Sequence, residues 1–90
     1  MNAPHRLLLL SRPGCGLCHE MAEALDVHFG SGVFQLEWVN IDEHEDWCQR
    51  WGLLIPVLLA EDGTPLSVTR LDAQQLTDKL GVPVRPPRTR

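Results

Sequence analysis

Apolar and polar positions along this chain follow two periods. His5–Ser11 holds an unbroken apolar run, Leu7–Leu10, and predicts a buried strand that Pro13 and Gly14 end. From Cys18, apolar positions recur at Met21, Ala22, Leu25 and Phe29; offsets of 3, 4, 7 and 11 stripe one face of a helix. That helix opens at Cys15, and Gly30 and Gly32 close it. Val33–Ile41 then alternates, with Phe34, Leu36, Trp38 and Asn40 on one side and Val33, Gln35, Glu37, Val39 and Ile41 on the other. This predicts a second strand.

Asp42 followed by Glu45 has capping-box spacing, so a short helix carrying Trp47, Cys48 and Trp51 is expected there, with Gly52 at its end. Pro56–Ala60 predicts a third strand, Glu61-Asp62-Gly63 a hairpin turn and Leu66–Arg70 a fourth strand. Asp72 with Gln75 repeats the capping arrangement, and Leu71 with Leu76 is spaced as a hydrophobic staple. Leu76 and Leu80 line one face of the last helix, and Gly81 stops it.

The order is β-α-β-α-β-β-α. A β-α-β crossover is right-handed and joins parallel strands, whereas the tight turn at Gly63 joins antiparallel ones. The expected fold class is therefore α/β, a four-stranded mixed sheet flanked by three helices. Residues 1–81 form the expected domain. Residues 82–90, VPVRPPRTR, are too rich in proline and arginine to pack and predict a flexible tail.

Composition narrows the function. A chain of 90 residues, 43% of them hydrophobic, holds one core and excludes both a two-domain protein and a disordered one. Residues 1–84 carry five basic against 12 acidic side chains, which argues against a nucleic-acid face. Three cysteines do not suit a secreted disulfide scaffold. The longest apolar run near the N-terminus is four residues, short of a leader's roughly 7–15 and a membrane span's roughly 20. A soluble cytoplasmic protein with no membrane partner is expected.

The chemistry centres on Cys15-Gly16-Leu17-Cys18, directly after a strand and opening a helix. Thiols three residues apart on a first helical turn lie side by side, so a disulfide closes between them with little backbone movement. The unpaired N–H groups and positive dipole end of the helix stabilise a thiolate on Cys15. Arg12 supplies a nearby cation. Thiols so placed fall from about 8.5 to roughly 3.5–7.5 in pKa. Cys15 is thus the candidate nucleophile and Cys18, on the apolar stripe, the candidate resolving thiol. Ile55-Pro56 is a candidate cis bond whose flanking backbone could pair with an extended substrate.

Two other chemistries use the same residues. Cys15, Cys18, His44 and Cys48 could supply a Cys3His zinc set, or Cys15 could hold an iron–sulfur cluster bridging two chains. The alternation of elements, however, puts the second helix on the opposite side of the sheet from the first. The remaining alternative is a non-catalytic binding module.

Leu9-Leu10-Ser11-Arg12-Pro13-Gly14-Cys15-Gly16-Leu17-Cys18 resembles the active-site approach of glutaredoxins. Trp51-Gly52-Leu53-Leu54-Ile55-Pro56-Val57-Leu58 is similar to their cis-proline segment, and residues 6–81 look like a small glutaredoxin-like protein of the thioredoxin superfamily. The resemblance implies the thioredoxin fold, a thiol–disulfide oxidoreductase, Cys15 as nucleophile, Cys18 as resolving thiol and a cis Pro56 beside them. It implies that Arg12 helps hold the glycine carboxylate of glutathione, that the backbone of Ile55 pairs with the glutathione cysteine, and that Asp72 stands near the γ-glutamyl end. It requires no cofactor, makes glutathione a candidate co-substrate, and gives as partners disulfide-containing proteins and a glutathione or thioredoxin-type reductant acting on a monomer. The chain departs from the family in two places: Gly16-Leu17 stands for a Pro-aromatic pair, and Thr69-Arg70-Leu71-Asp72 stands where glutaredoxins have Gly-Gly before the last helix.

Overall fold

The computed structural model describes residues 5–84. Strand β1 (His5–Ser11) is central and alternates its leucines between two faces. Leu7 and Leu9 meet Met21, Leu25 and Phe29 of helix α1 (Gly16–Phe29) and Leu76 of helix α3 (Ala73–Leu80). Leu10 meets Val39, Ile41, Val57 and Leu59, and helix α2 (Glu45–Trp51) covers that second cluster with Trp47, Cys48 and Trp51. A strand apolar on both faces is therefore satisfied by helices on both sides. Each leucine fully buried in these clusters contributes roughly 1.5–3 kcal/mol over its exposed state.

The sheet order is β2-β1-β3-β4, with β2 at Phe34–Asn40, β3 at Val57–Ala60 and β4 at Pro65–Val68. β2 runs parallel to β1, pairing Ser11 with Asn40. β3 runs antiparallel to β1 with Leu10 opposite Val57, and β4 antiparallel to β3 with Val57 opposite Val68. This is the mixed four-stranded sheet with three helices expected of a thioredoxin-like fold. The register has a functional consequence. The segments that follow β1, β2 and β4 and the one that precedes β3 all leave the sheet at the same end.

Several local expectations are corrected. The predicted capping box at Asp42 and Glu45 does not form: Ile41–Glu43 is a 3₁₀ turn whose cap is Asn40, its side chain accepting the Asp42 N–H at 3.0 Å. α2 starts two residues later than that box, capped at His44 without a side-chain hydrogen bond. β2 stops at Asn40 for the same reason. The fourth strand ends at Val68 rather than Arg70, because Thr69 takes a left-handed φ of 69° and turns the chain. Trp38 lies on the outer strand β2, 45% exposed, its ring against His19.

Other signals act as their chemistry suggests. Asp72 caps α3 through the Gln75 N–H at 3.0 Å, and Gly81 ends that helix in the left-handed region at φ 71°. Val82, assigned to the tail on composition, packs against the first core cluster and accepts a hydrogen bond from the Thr77 hydroxyl at 2.9 Å. The part of the expected tail from residue 85 to residue 90 lies outside the described residues. No helix among the described residues is long and apolar enough to cross a membrane.

Candidate active site

Arg12, Pro13, Gly14 and Cys15 form the connection between β1 and α1. Pro13 at the second position and Gly14 at φ 81° in the third give a type II turn, closed by the Cys15 N–H on the Arg12 carbonyl at 3.1 Å. A side chain at position 14 would be strained in that conformation, so the glycine is set by the turn. The turn delivers Cys15 to the N-cap of α1 in an extended conformation.

There Cys15 and Cys18 are joined as a disulfide, with Cα atoms 5.3 Å apart. The Cys18 N–H points at the Cys15 Sγ at 3.2 Å. This is one of the donors that a helix start leaves unpaired. The two cysteines differ in exposure. Cys15 is partly exposed, whereas Cys18 is fully buried at 0%. Leu17, between them, is 55% exposed.

The other loops at this end of the sheet complete the site. The Ile55–Pro56 peptide bond is cis. The Ile55 N–H and C=O have no hydrogen-bond partner among the described residues. Thr69 is tied to the same segment twice, its N–H donating to the Pro56 carbonyl at 2.7 Å and its hydroxyl to the Leu54 carbonyl at 2.8 Å. Thr69, Arg70 and Leu71 face Leu17, Glu20 and Met21 of α1 across a groove of about 390 Å³. The Cys-x-x-Cys turn and the segment bonded to Pro56 therefore share one surface.

Arg12 is engaged elsewhere than expected for a free cation. Its Nε and Nη2 donate to both Asp42 carboxylate oxygens at 2.9–3.0 Å, and its Nη1 donates to the Gly52 carbonyl at 3.3 Å. The hydrogen bonds from Arg12 hold the Asp42 carboxyl below the usual carboxylate range, and Asp42 raises the Arg12 guanidinium in return. Asp72 has one carboxylate oxygen on the Gln75 amide, and its own N–H donates to the Ser67 hydroxyl at 2.8 Å. Cys48 is a free, half-buried thiol on α2, its Sγ 3.9 Å from Asp42 Oδ1 and 4.0 Å from Arg12 Nη2.

Sequence reasoning missed Asp42, the Gly52 carbonyl and Thr69. The parallel register could have suggested the first: with Ser11 opposite Asn40, Arg12 must lie near the residues just after β2. The zinc set is not assembled. Cys15 and Cys18 are bonded to each other, Cys48 is on the helix across the sheet, and no group of three or more His, Cys, Asp or Glu side chains suited to a metal occurs among the described residues.

Comparison with known proteins agrees with this geometry. No curated protein matches the chain. Twelve solved chains are similar to it, two of them as follows. One is a solution structure of a Nitrosomonas europaea protein, 32% identical, covering 90% of this chain and 92% of its own, with a TM-score of 0.70. The other is an X-ray structure of an X. campestris protein, also 32% identical, covering 83% of this chain and 95% of its own, with a TM-score of 0.62. Residues 6–81 match the family described as "Glutaredoxin-like domain (DUF836)". With nearly all of its packed body matched and a Cys-x-x-Cys disulfide at the start of α1, the chain belongs to this glutaredoxin-like family.

Proposed function

We propose that the protein is a cytoplasmic thiol–disulfide oxidoreductase that reduces disulfides of polypeptides or glutathione mixed disulfides. The observation that carries this reading is the asymmetric pair: an accessible Cys15 at a helix N-cap with a backbone N–H aimed at its sulfur, bonded to a buried Cys18. The thiolate is the reacting form of a cysteine, and this position favours it on Cys15.

In the reduced protein, the Cys15 thiolate attacks one sulfur of the substrate disulfide. A Cys15–substrate bond forms, the substrate S–S bond breaks, and one substrate thiolate leaves and takes a proton from water. Cys18 then loses its proton and attacks Cys15 Sγ, which closes the Cys15–Cys18 bond and releases the second substrate thiol. Two electrons pass from the protein dithiol to the substrate. A thiol reductant, glutathione or a dithiol protein, restores the dithiol by the reverse exchange.

The unpaired Ile55 backbone supports a substrate bound as an added extended strand, since both its donor and its acceptor are free to pair. The Thr69–Leu71 side chains beside Leu17, where glutaredoxins have glycines, favour a polypeptide over glutathione itself. With its cap hydrogen bond in place, Asp72 contributes its remaining carboxylate oxygen to the rim of that surface.

Insulin reduction with dithiothreitol as electron source tests the proposal. The wild-type chain should accelerate it and Cys15→Ser should not. Cys18→Ser should accumulate a Cys15 mixed disulfide detectable by mass. Full activity in Cys15→Ser, or no acceleration by wild type, would overturn it in favour of a binding module.

A further inference from the structure

Three segments that carry the site meet at one side chain. Arg12 holds the Cys15 amide with its carbonyl, and its guanidinium spans to Asp42 after β2 and to the Gly52 carbonyl, four residues before Pro56. Two of these partners, Asp42 and Gly52, are themselves fixed. Asp42 is held in its 3₁₀ turn by Asn40, and the Gly52 amide donates to the Cys48 carbonyl at 2.9 Å. Gly52 has no room for a side chain, since a Cβ there would run into that same carbonyl. The planar guanidinium fork fits this task because two parallel bonds to one carboxylate fix its orientation, which an ammonium cannot do.

The ion pair is half-open to solvent, with Arg12 37% and Asp42 50% exposed at their side chains. Pairs this exposed add little to stability. Its charge is also spent locally: a cation held against a carboxylate at 2.9 Å projects little net field toward a neighbouring thiol. What is left is geometry.

We propose that Arg12 is a positioning residue that, through Asp42 and Gly52, sets the Cys15 turn against the Leu53–Pro56 segment where an extended substrate would pair. This rests on the oxidoreductase reading for its kinetic consequence but not for its structural one. Loosening the clamp leaves both cysteines present and misplaces them relative to the substrate strand. A displacement of this kind slows reaction without altering the chemistry of the thiol.

The test uses Arg12→Gln, Asp42→Asn, the double variant and Asp42→Glu in the full chain, all reduced. Reaction of Cys15 with a disulfide-linked peptide is followed by mass. Arg12→Gln and Asp42→Asn should each slow it by on the order of tenfold. The double variant should be no slower than either single one, and Asp42→Glu should recover most of the rate. Hydrogen exchange at the Cys15 amide should quicken in both single variants. The pH midpoint for Cys15 alkylation by iodoacetamide, read with Cys18→Ser, should stay in place. Additive slowing in the double variant would overturn the clamp. So would a midpoint that rises in Arg12→Gln and falls in Asp42→Asn, which would assign Arg12 a charge role. Unchanged rates with unchanged Cys15 amide exchange would also overturn it. If wild type reacts no faster than Cys15→Ser, the oxidoreductase reading fails, and exchange at the Cys15 amide decides the clamp alone.

Discussion

Thr69 offers a prediction whose sign depends on backbone conformation rather than on contact number. A β-branched residue at φ 69° is unusual, because the left-handed region crowds Cβ against the following carbonyl. That crowding costs roughly 1–2 kcal/mol. The Thr69 hydroxyl offsets it by donating to the Leu54 carbonyl at 2.8 Å, a bond whose net contribution is about 1 kcal/mol. Thr69→Ala removes the bond and keeps the strained φ, so it should destabilise the protein by about 1 kcal/mol. Thr69→Gly also removes the bond, but it relieves the strain and adds only roughly 0.5–1 kcal/mol of glycine backbone entropy. Its net effect is near zero. Glycine should therefore be the more stable variant by about 1 kcal/mol, or about 4–8 °C in Tm for a domain of this size. Thermal unfolding followed by far-UV circular dichroism reads the difference, and urea midpoints at constant slope confirm that stability alone has changed. If Thr69→Gly melts below Thr69→Ala, backbone strain at this position is not what the hydroxyl offsets.

Other consequences can be checked independently. Gly52→Ala should lower stability by roughly 1–3 kcal/mol in urea titration, because a Cβ meets the Cys48 carbonyl and its Sγ at 3.4 Å and the segment must shift. Leu76→Ala, which empties a fully buried α3 position in the core shared with Leu7 and Leu58, should cost about 2–5 kcal/mol in the same experiment. Asp42 has a carboxyl held below its unfolded value by Arg12. Its contribution is therefore present above about pH 4 and lost as acid protonates it in the folded state. Acid titration of stability should fall less steeply below that pH in Asp42→Asn than in wild type. Equal slopes would show that the pair is not linked to folding.

Much of the fold was legible because its signals are local. Leu7–Leu10, the 3–4 spacing from Cys18 to Phe29 and the glycines at 30, 63 and 81 each act within one turn or one strand. Asp72 capping Gln75 is of the same kind. The Asp42–Glu45 spacing misled because a tertiary partner took the carboxylate: Arg12 lies 30 residues away, and capping competes with that bidentate pair. The exposure of Trp38 was not legible, because alternation shows that a strand has two faces but not that the strand lies at the sheet's edge. The cysteine pair was visible as Cys-x-x-Cys at a strand–helix junction, whereas the contacts around it were not. Arg12 on Gly52, and Thr69 on Leu54 and Pro56, join segments distant in sequence through backbone carbonyls, which no side-chain pattern reveals.

The most direct measurement is a redox titration of the full chain across defined glutathione ratios, trapped by alkylation and read by mass spectrometry. A redox-active pair gives one reversible two-electron transition in which Cys15 and Cys18 lose reactivity together while Cys48 remains alkylated throughout. Failure of the Cys15–Cys18 disulfide to form at any ratio, or a transition that instead consumes Cys48, would contradict the assignment of the pair as the working centre of the protein.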